Sequence, residues 1–135
     1  MSAGEGFTLS AVVEDAFDEV VVRAREALGA EGFGVLTEID LSWTFQHKLG
    51  IEVPRQTILG VCRAELAHRA VTADPSVATL LPCTVVVRDL GEGRVLVETM
   101  DPAVMGDLGG PAVAEVSADV RTHLSSALAA LQPNG

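Results

Sequence analysis

The sequence predicts an α+β fold, a two-layer sandwich in which two longer helices cover one face of a mostly antiparallel sheet of about five strands. Three observations predict it. Short runs alternate apolar and polar residues, the period of a strand with one buried face. Two longer stretches repeat apolar residues at helical spacing. Two valine-rich runs, Cys83 to Arg88 and Arg94 to Thr99, flank Leu90-Gly91-Glu92-Gly93, which reads as an antiparallel hairpin.

Taken in order, Met1 to Gly6 reads as a loose terminus. Phe7, Leu9, Ala11 and Val13 alternate with Thr8 and Ser10 as a first strand, stopped by Glu14 and Asp15. Phe17, Val20, Val21, Ala24 and Leu28 form one face of an amphipathic helix that Gly29 or Gly32 ends. Gly34 to Asp40 reads as a second strand, and Ser42 as the cap of a short helix with Phe45 and Leu49 inward. Gly50 breaks that helix, and Pro54 makes the next stretch extended. Thr57 to Val61 is a third strand, and strict alternation puts Cys62 on the face of Ile58 and Gly60. Ala64 to Val71 is a short helix and Asp74-Pro75 a turn before the hairpin strands. Asp101 to Met105 reads as a short turn and Gly106 to Gly110 as a flexible loop. Pro111 opens a last helix whose stripe is Val113, Val116, Val120, Leu124, Leu128 and Leu131, before a fraying tail, Pro133 to Gly135.

The chain of 135 residues reads as a single domain, 1–135, and its 48% hydrophobic and 21% charged residues describe a globular chain. Val85, Val86 and Val87 are apolar on both faces of their strand. A single helix layer leaves the second sheet face to be hidden, so a homodimer or a ligand held against that face is expected. The formal net charge is −10 and the 9 basic residues form no stripe, so nucleic acid is not an expected partner. The apolar runs fall far short of the roughly 20 residues a membrane span needs. No secretory leader is visible, and a cytoplasmic chain with two free thiols is expected.

GFGVLTEID, KLGIEVPRQTILGVC, ELAHRAV, LLPCTVVVRD and VETMDPAVM resemble the DUF302 family, small domains of unknown function, across about residues 7–131. The resemblance implies a compact α+β fold with a curved sheet and packed helices, similar to the TATA-binding-protein arrangement. It also implies that Cys62 and Cys83 are the family's two recurrent thiols. Relatives commonly follow the first thiol with Asn-Pro, where this chain has Arg63-Ala64.

The chemistry is expected around those thiols. Cys62 falls just before a helix, where free amides and the helix dipole lower a thiol pKa. Cys83 follows Pro82 at a strand start. Side-by-side strands would bring the sulfurs together, fit to bind a soft metal, to form a reversible disulfide or to carry a persulfide. The bland alternative is a pair of small buried hydrophobes. His68, on the intervening helix, is the candidate third ligand at a cofactor site with Cys62 and Cys83. His47, beside Trp43 and Phe45, is placed to frame a planar cofactor such as haem, and His123 lies next to the stripe of the last helix, with ordinary packing or exposure the favoured reading of each; Met100 and Met105 are candidate soft ligands that more often fill a core. Glu38 and Asp40, with Glu98 on another strand, resemble paired carboxylates, although solvated edge positions are the favoured explanation. The glycines lack a phosphate-loop pattern, and no G-x-S-x-G is present. The leading expectation is a dimeric binding module for a metal, haem or small ligand near Cys62 and Cys83. A second is a thiol redox protein or sulfur carrier, with Cys62 as nucleophile and Cys83 as resolving thiol. A third is a structural dimerisation domain. The sequence names no reaction and no substrate.

Overall fold

The structure is a computed structural model that describes residues 6–132. The expectations for Met1 to Glu5 and for Pro133 to Gly135 lie outside the described residues. The order is β1 (Thr8–Glu14), α1 (Phe17–Ala30), β2 (Gly34–Asp40), α2 (Leu41–Leu49), β3 (Gln56–Cys62), α3 (Ala64–Ala73), a 3-10 turn (Pro75–Leu80), β4 (Cys83–Gly91), β5 (Arg94–Met100), α4 (Ala103–Gly109) and α5 (Pro111–Ala130). The five strands form one sheet in the order β1-β5-β4-β3-β2, and every neighbouring pair is antiparallel.

Alternation decides which face is covered. Leu9, Ala11 and Val13 of β1, Leu59 and Val61 of β3, Val85 and Val87 of β4, and Val95 and Val97 of β5 are buried. They meet Phe17, Val20, Ala24 and Leu28 of α1 and the stripe of α5 from Val113 to Leu128 in one core cluster. Phe7 does not join the buried face of β1; it precedes the strand and is exposed. The opposite face carries Val12, Ile58, Val86 and Leu96, each half-buried. It also carries an ion pair between Arg88 and Glu98 at 3.3 Å. No helix of the described residues is long and apolar enough to cross a membrane.

Three local expectations need correction. The turn and flexible loop expected over 101–110 contain α4. Its glycines are there for contact: a Cβ on Gly106 would lie 3.1 Å from the Ala114 Cα, and one on Gly109 would lie 2.7 Å from Val113. Small residues let α4 lie directly against α5. The cap of α2 is Asp40, which accepts from the Trp43 amide at 2.8 Å, and Ser42 serves it by donating to the same carboxylate at 2.7 Å. Leu49 points outward, and no residue of α2 is buried. The chain then leaves α2 through Gly50 in the left-handed conformation and runs exposed to Arg55.

Candidate functional site: a thiol-lined cavity

The site begins with strand direction. β3 ends at Cys62 and its antiparallel neighbour β4 starts at Cys83, so both thiols stand at one end of the sheet. The register sets Cys83 opposite Val61, on the face the helices cover. Strict alternation assigns Cys62 to the other face, but it is the last strand residue, where the chain turns into α3. Both cysteines line the same cavity, of about 20 Å³. Val61, Leu66, Ala70, Met105, Val116 and Val120, all buried, supply its apolar wall. Cys62, Arg63, Ala67, Leu81 and Cys83 are only half-buried, so access is from the thiol side. Both cysteines are free.

Two features distinguish this cavity from an ordinary packing gap. Burial pushes the Cys83 thiol up from 9.0 to about 11, and the charge of a Cys62 thiolate adds to the shift. The second feature is Ser117, which the sequence reading does not single out. Its residue is 2% exposed and it lines the cavity. Its Oγ is buried without a hydrogen-bond partner, the single such side-chain atom found among the described residues. A polar residue one step after Val116 on the apolar stripe was the available signal.

The N-terminus of α3 begins immediately beyond Cys62, and no side chain caps it. Arg63, at the cap position, is committed elsewhere: Nε donates to Glu65 Oε1 at 2.9 Å and Nη1 to the Glu31 carbonyl at 3.2 Å. On the sheet side, Gly60 lets two neighbours close in. A Cβ there would collide with Thr37 Oγ1 and lie 2.9 Å from Pro82 Cγ, the ring preceding Cys83.

The remaining candidates are not brought to the thiols. His68 is exposed and lines a separate hollow with Arg69, Thr72, Ala112 and Glu115. Between buried Leu66 and Ala70, its direction on α3 is away from the core. His47 stacks on Trp43 with ring centroids 3.9 Å apart, and its Nδ1 lies 3.2 Å from the Trp43 carbonyl. His123 Nδ1 is 2.8 Å from Glu31 Oε1. Glu38 pairs with Arg25. Asp40 is occupied as a cap, and the Trp43 amide and Ser42 hydroxyl hold its carboxyl below the usual range. Glu98 accepts from Thr8 Oγ1 at 2.9 Å and pairs with Arg88. Met100 lies in an open hollow of about 580 Å³ on the other sheet face, with Phe7, Val86, Arg88 and Glu98. Met105 alone of these lines the thiol cavity. Among the described residues no three or more His, Cys, Asp or Glu side chains gather as a metal set. Zinc, which takes four protein ligands at structural sites and three at catalytic ones, is therefore poorly served by the thiol pair. Cavities that enclose a cofactor the size of haem run to hundreds of Å³, far above the about 20 Å³ here.

An antiparallel sheet covered by helices on one side, with a thiol-bearing cavity at the strand ends, defines a small α+β domain. The chain belongs to the family described as "Domain of unknown function DUF302", which it matches over residues 9–131. It is similar to a solved structure, the uncharacterized conserved protein DUF302 from Bacillus stearothermophilus. The two share 29% identity with a TM-score of 0.86, over 94% of this chain and 99% of that one. No curated protein matches the chain.

Proposed function

We propose that the protein is a small binding domain that holds one soft atom or ion between Cys62 and Cys83. The observation that supports this reading is the shared cavity: two free thiols, at the same end of neighbouring strands, line about 20 Å³ of mostly apolar space. That space suits one atom-sized guest. Two thiolates are a donor set for a soft, monovalent ion such as Cu(I), which thiolate ligands select. Binding would release the Cys83 proton, so affinity rises with pH. Anaerobic titration with Cu(I) against a chelating competitor is the test. One ion per chain is expected, and Cys62→Ala and Cys83→Ala should each abolish it. Binding that neither substitution disturbs, or no binding at all, would remove the metal-ion form of this reading.

A second copy of the chain is proposed to cover the β2–α2 flank. A nine-residue helix with no buried side chain is a poor candidate for standing alone in water. Beside it, Leu36, Ile39, Trp43, Leu49 and Ile51 are exposed. β2 is also a sheet edge, and two such edges can meet about a two-fold axis. Sedimentation equilibrium should give twice the chain mass; a monomer at every concentration would exclude this.

A further inference from the structure

We propose that the guest is a sulfane sulfur carried as a persulfide on Cys62, with the Ser117 hydroxyl as its hydrogen-bond donor inside the cavity. This rests on the one-atom reading above and names the atom.

Ser117 carries the argument. A buried hydroxyl without a partner is destabilising, and helix packing gives no reason for one here, where alanine would fill the same space. Ser117, Cys62 and Cys83 line one cavity of about 20 Å³, and the partnerless Ser117 hydroxyl is buried in its wall, so a guest held there lies beside all three residues. A bound metal ion leaves the hydroxyl without a use, since a hydroxyl oxygen is a hard donor and a soft ion prefers sulfur. A terminal persulfide sulfur does use it: the sulfur accepts from O–H, and its body suits walls made by Val61, Leu66, Met105 and Val116. Placement chooses Cys62 as the carrier. It stands next to the start of α3, a ten-residue helix with no side-chain cap over its first amides.

The loading step balances without an external oxidant. The Cys62 thiolate attacks the outer sulfur of a donor persulfide, R–S–SH. The donor's S–S bond breaks, a new S–S bond forms to Cys62, and the donor departs as the thiolate R–S⁻. The transferred sulfur keeps its oxidation state and its proton. Loss of the sulfur would require Cys83 to attack Cys62 Sγ, expelling hydrosulfide and forming a disulfide. Burial raises the Cys83 pKa, so its thiolate, the nucleophilic form, is scarcer at neutral pH than that of an ordinary thiol. The cargo is thus retained until an external thiolate collects it.

The test uses the reduced full-length protein, glutathione persulfide as donor, and intact-mass and peptide mass spectrometry. One added sulfur on Cys62 is expected, absent in Cys62→Ala. Under challenge with a thiol acceptor, Ser117→Ala, which removes only the donor, should release it about tenfold faster. Failure of Cys62 to gain sulfur, or equal release from wild type, Ser117→Ala and urea-unfolded protein, would overturn the proposal. If Cu(I) still binds through both thiols while sulfur does not load, the persulfide proposal falls alone. If neither occurs, the one-atom site falls with it.

Discussion

Alkylation of Cys83 offers a direct measure of how dry the cavity is. Iodoacetamide reacts with thiolate, not thiol. A thiol of pKa 9.0 is about 1% ionised at pH 7, whereas one at about 11 is about 0.01% ionised. The folded chain should therefore label Cys83 about 100-fold more slowly than the urea-unfolded chain at pH 7, before any steric protection is added. The labelling rate should keep climbing tenfold per pH unit past pH 9 and level off only near 11. Isotope-coded reagent and peptide mass spectrometry separate Cys83 from Cys62 in the same sample. Because burial is the larger cause and the Cys62 charge the smaller, Cys62→Ala should accelerate Cys83 labelling only in part.

The same shift predicts a pH dependence of stability. Between pH 9 and about 11 the unfolded chain has released the Cys83 proton and the folded chain has kept it. The native state then binds more protons, so stability must fall as pH rises through that window. Cys83→Ala should flatten this part of the profile. A Cys83 labelling rate that levels off near pH 9, or folded and unfolded chains that react alike, would refute the assignment of Cys83 to a desolvated site.

Other perturbations probe the surroundings. Ser117→Ala should leave stability unchanged or raise it by about 1 kcal/mol in chemical denaturation, because it removes an unpaired buried hydroxyl; a marked loss would mean that Oγ has a partner. Gly60→Ala should lower the unfolding free energy by about 1–3 kcal/mol, read as a lower urea midpoint, since the new methyl meets Thr37 Oγ1 and the Pro82 ring; an unchanged midpoint would show that both neighbours yield freely. Leu49→Asp, on the exposed flank of α2, should halve the mass seen in sedimentation without a large change in melting temperature; a dimer that survives it places the contact elsewhere.

Much of the fold was legible because its signals are local. Alternation in β1 and the stripe of α5 name buried residues that the structure does bury: Leu9, Ala11, Val13, Val113, Val120 and Leu124. The failures share a cause, which is that a contact partner decided the outcome. Gly106 and Gly109 have low helix propensity and read as loop, yet the close approach of α5 makes small residues the only ones that fit. Leu49 sits at a helical interval from Phe45, but α2 has no core to face, so the interval carried no burial. His68 lies near Cys62 in sequence, and helical geometry turns it away. The meeting of Cys62 and Cys83 needed β3 and β4 to be neighbours, which spacing along the chain does not state.

Cys83 and Ser117 are best considered together, because one physical property of the cavity acts on both. Its walls are aliphatic, and a low local polarity penalises a thiolate and an unpaired hydroxyl alike. Alanine or valine at either position would escape that penalty, so packing alone does not account for these side chains. Elsewhere the chain obeys the ordinary rule: buried Thr99 donates to the Thr84 carbonyl at 2.8 Å, and Thr8, also buried, donates to Glu98. Departures from that rule gather where a structure does something other than fold. Here a thiol of raised pKa and a residue with an orphaned hydroxyl line one half-open cavity. A guest that accepts a hydrogen bond and is itself soft relieves the hydroxyl while leaving the thiol protonated, which is the chemistry of a sulfur atom more than that of a cation.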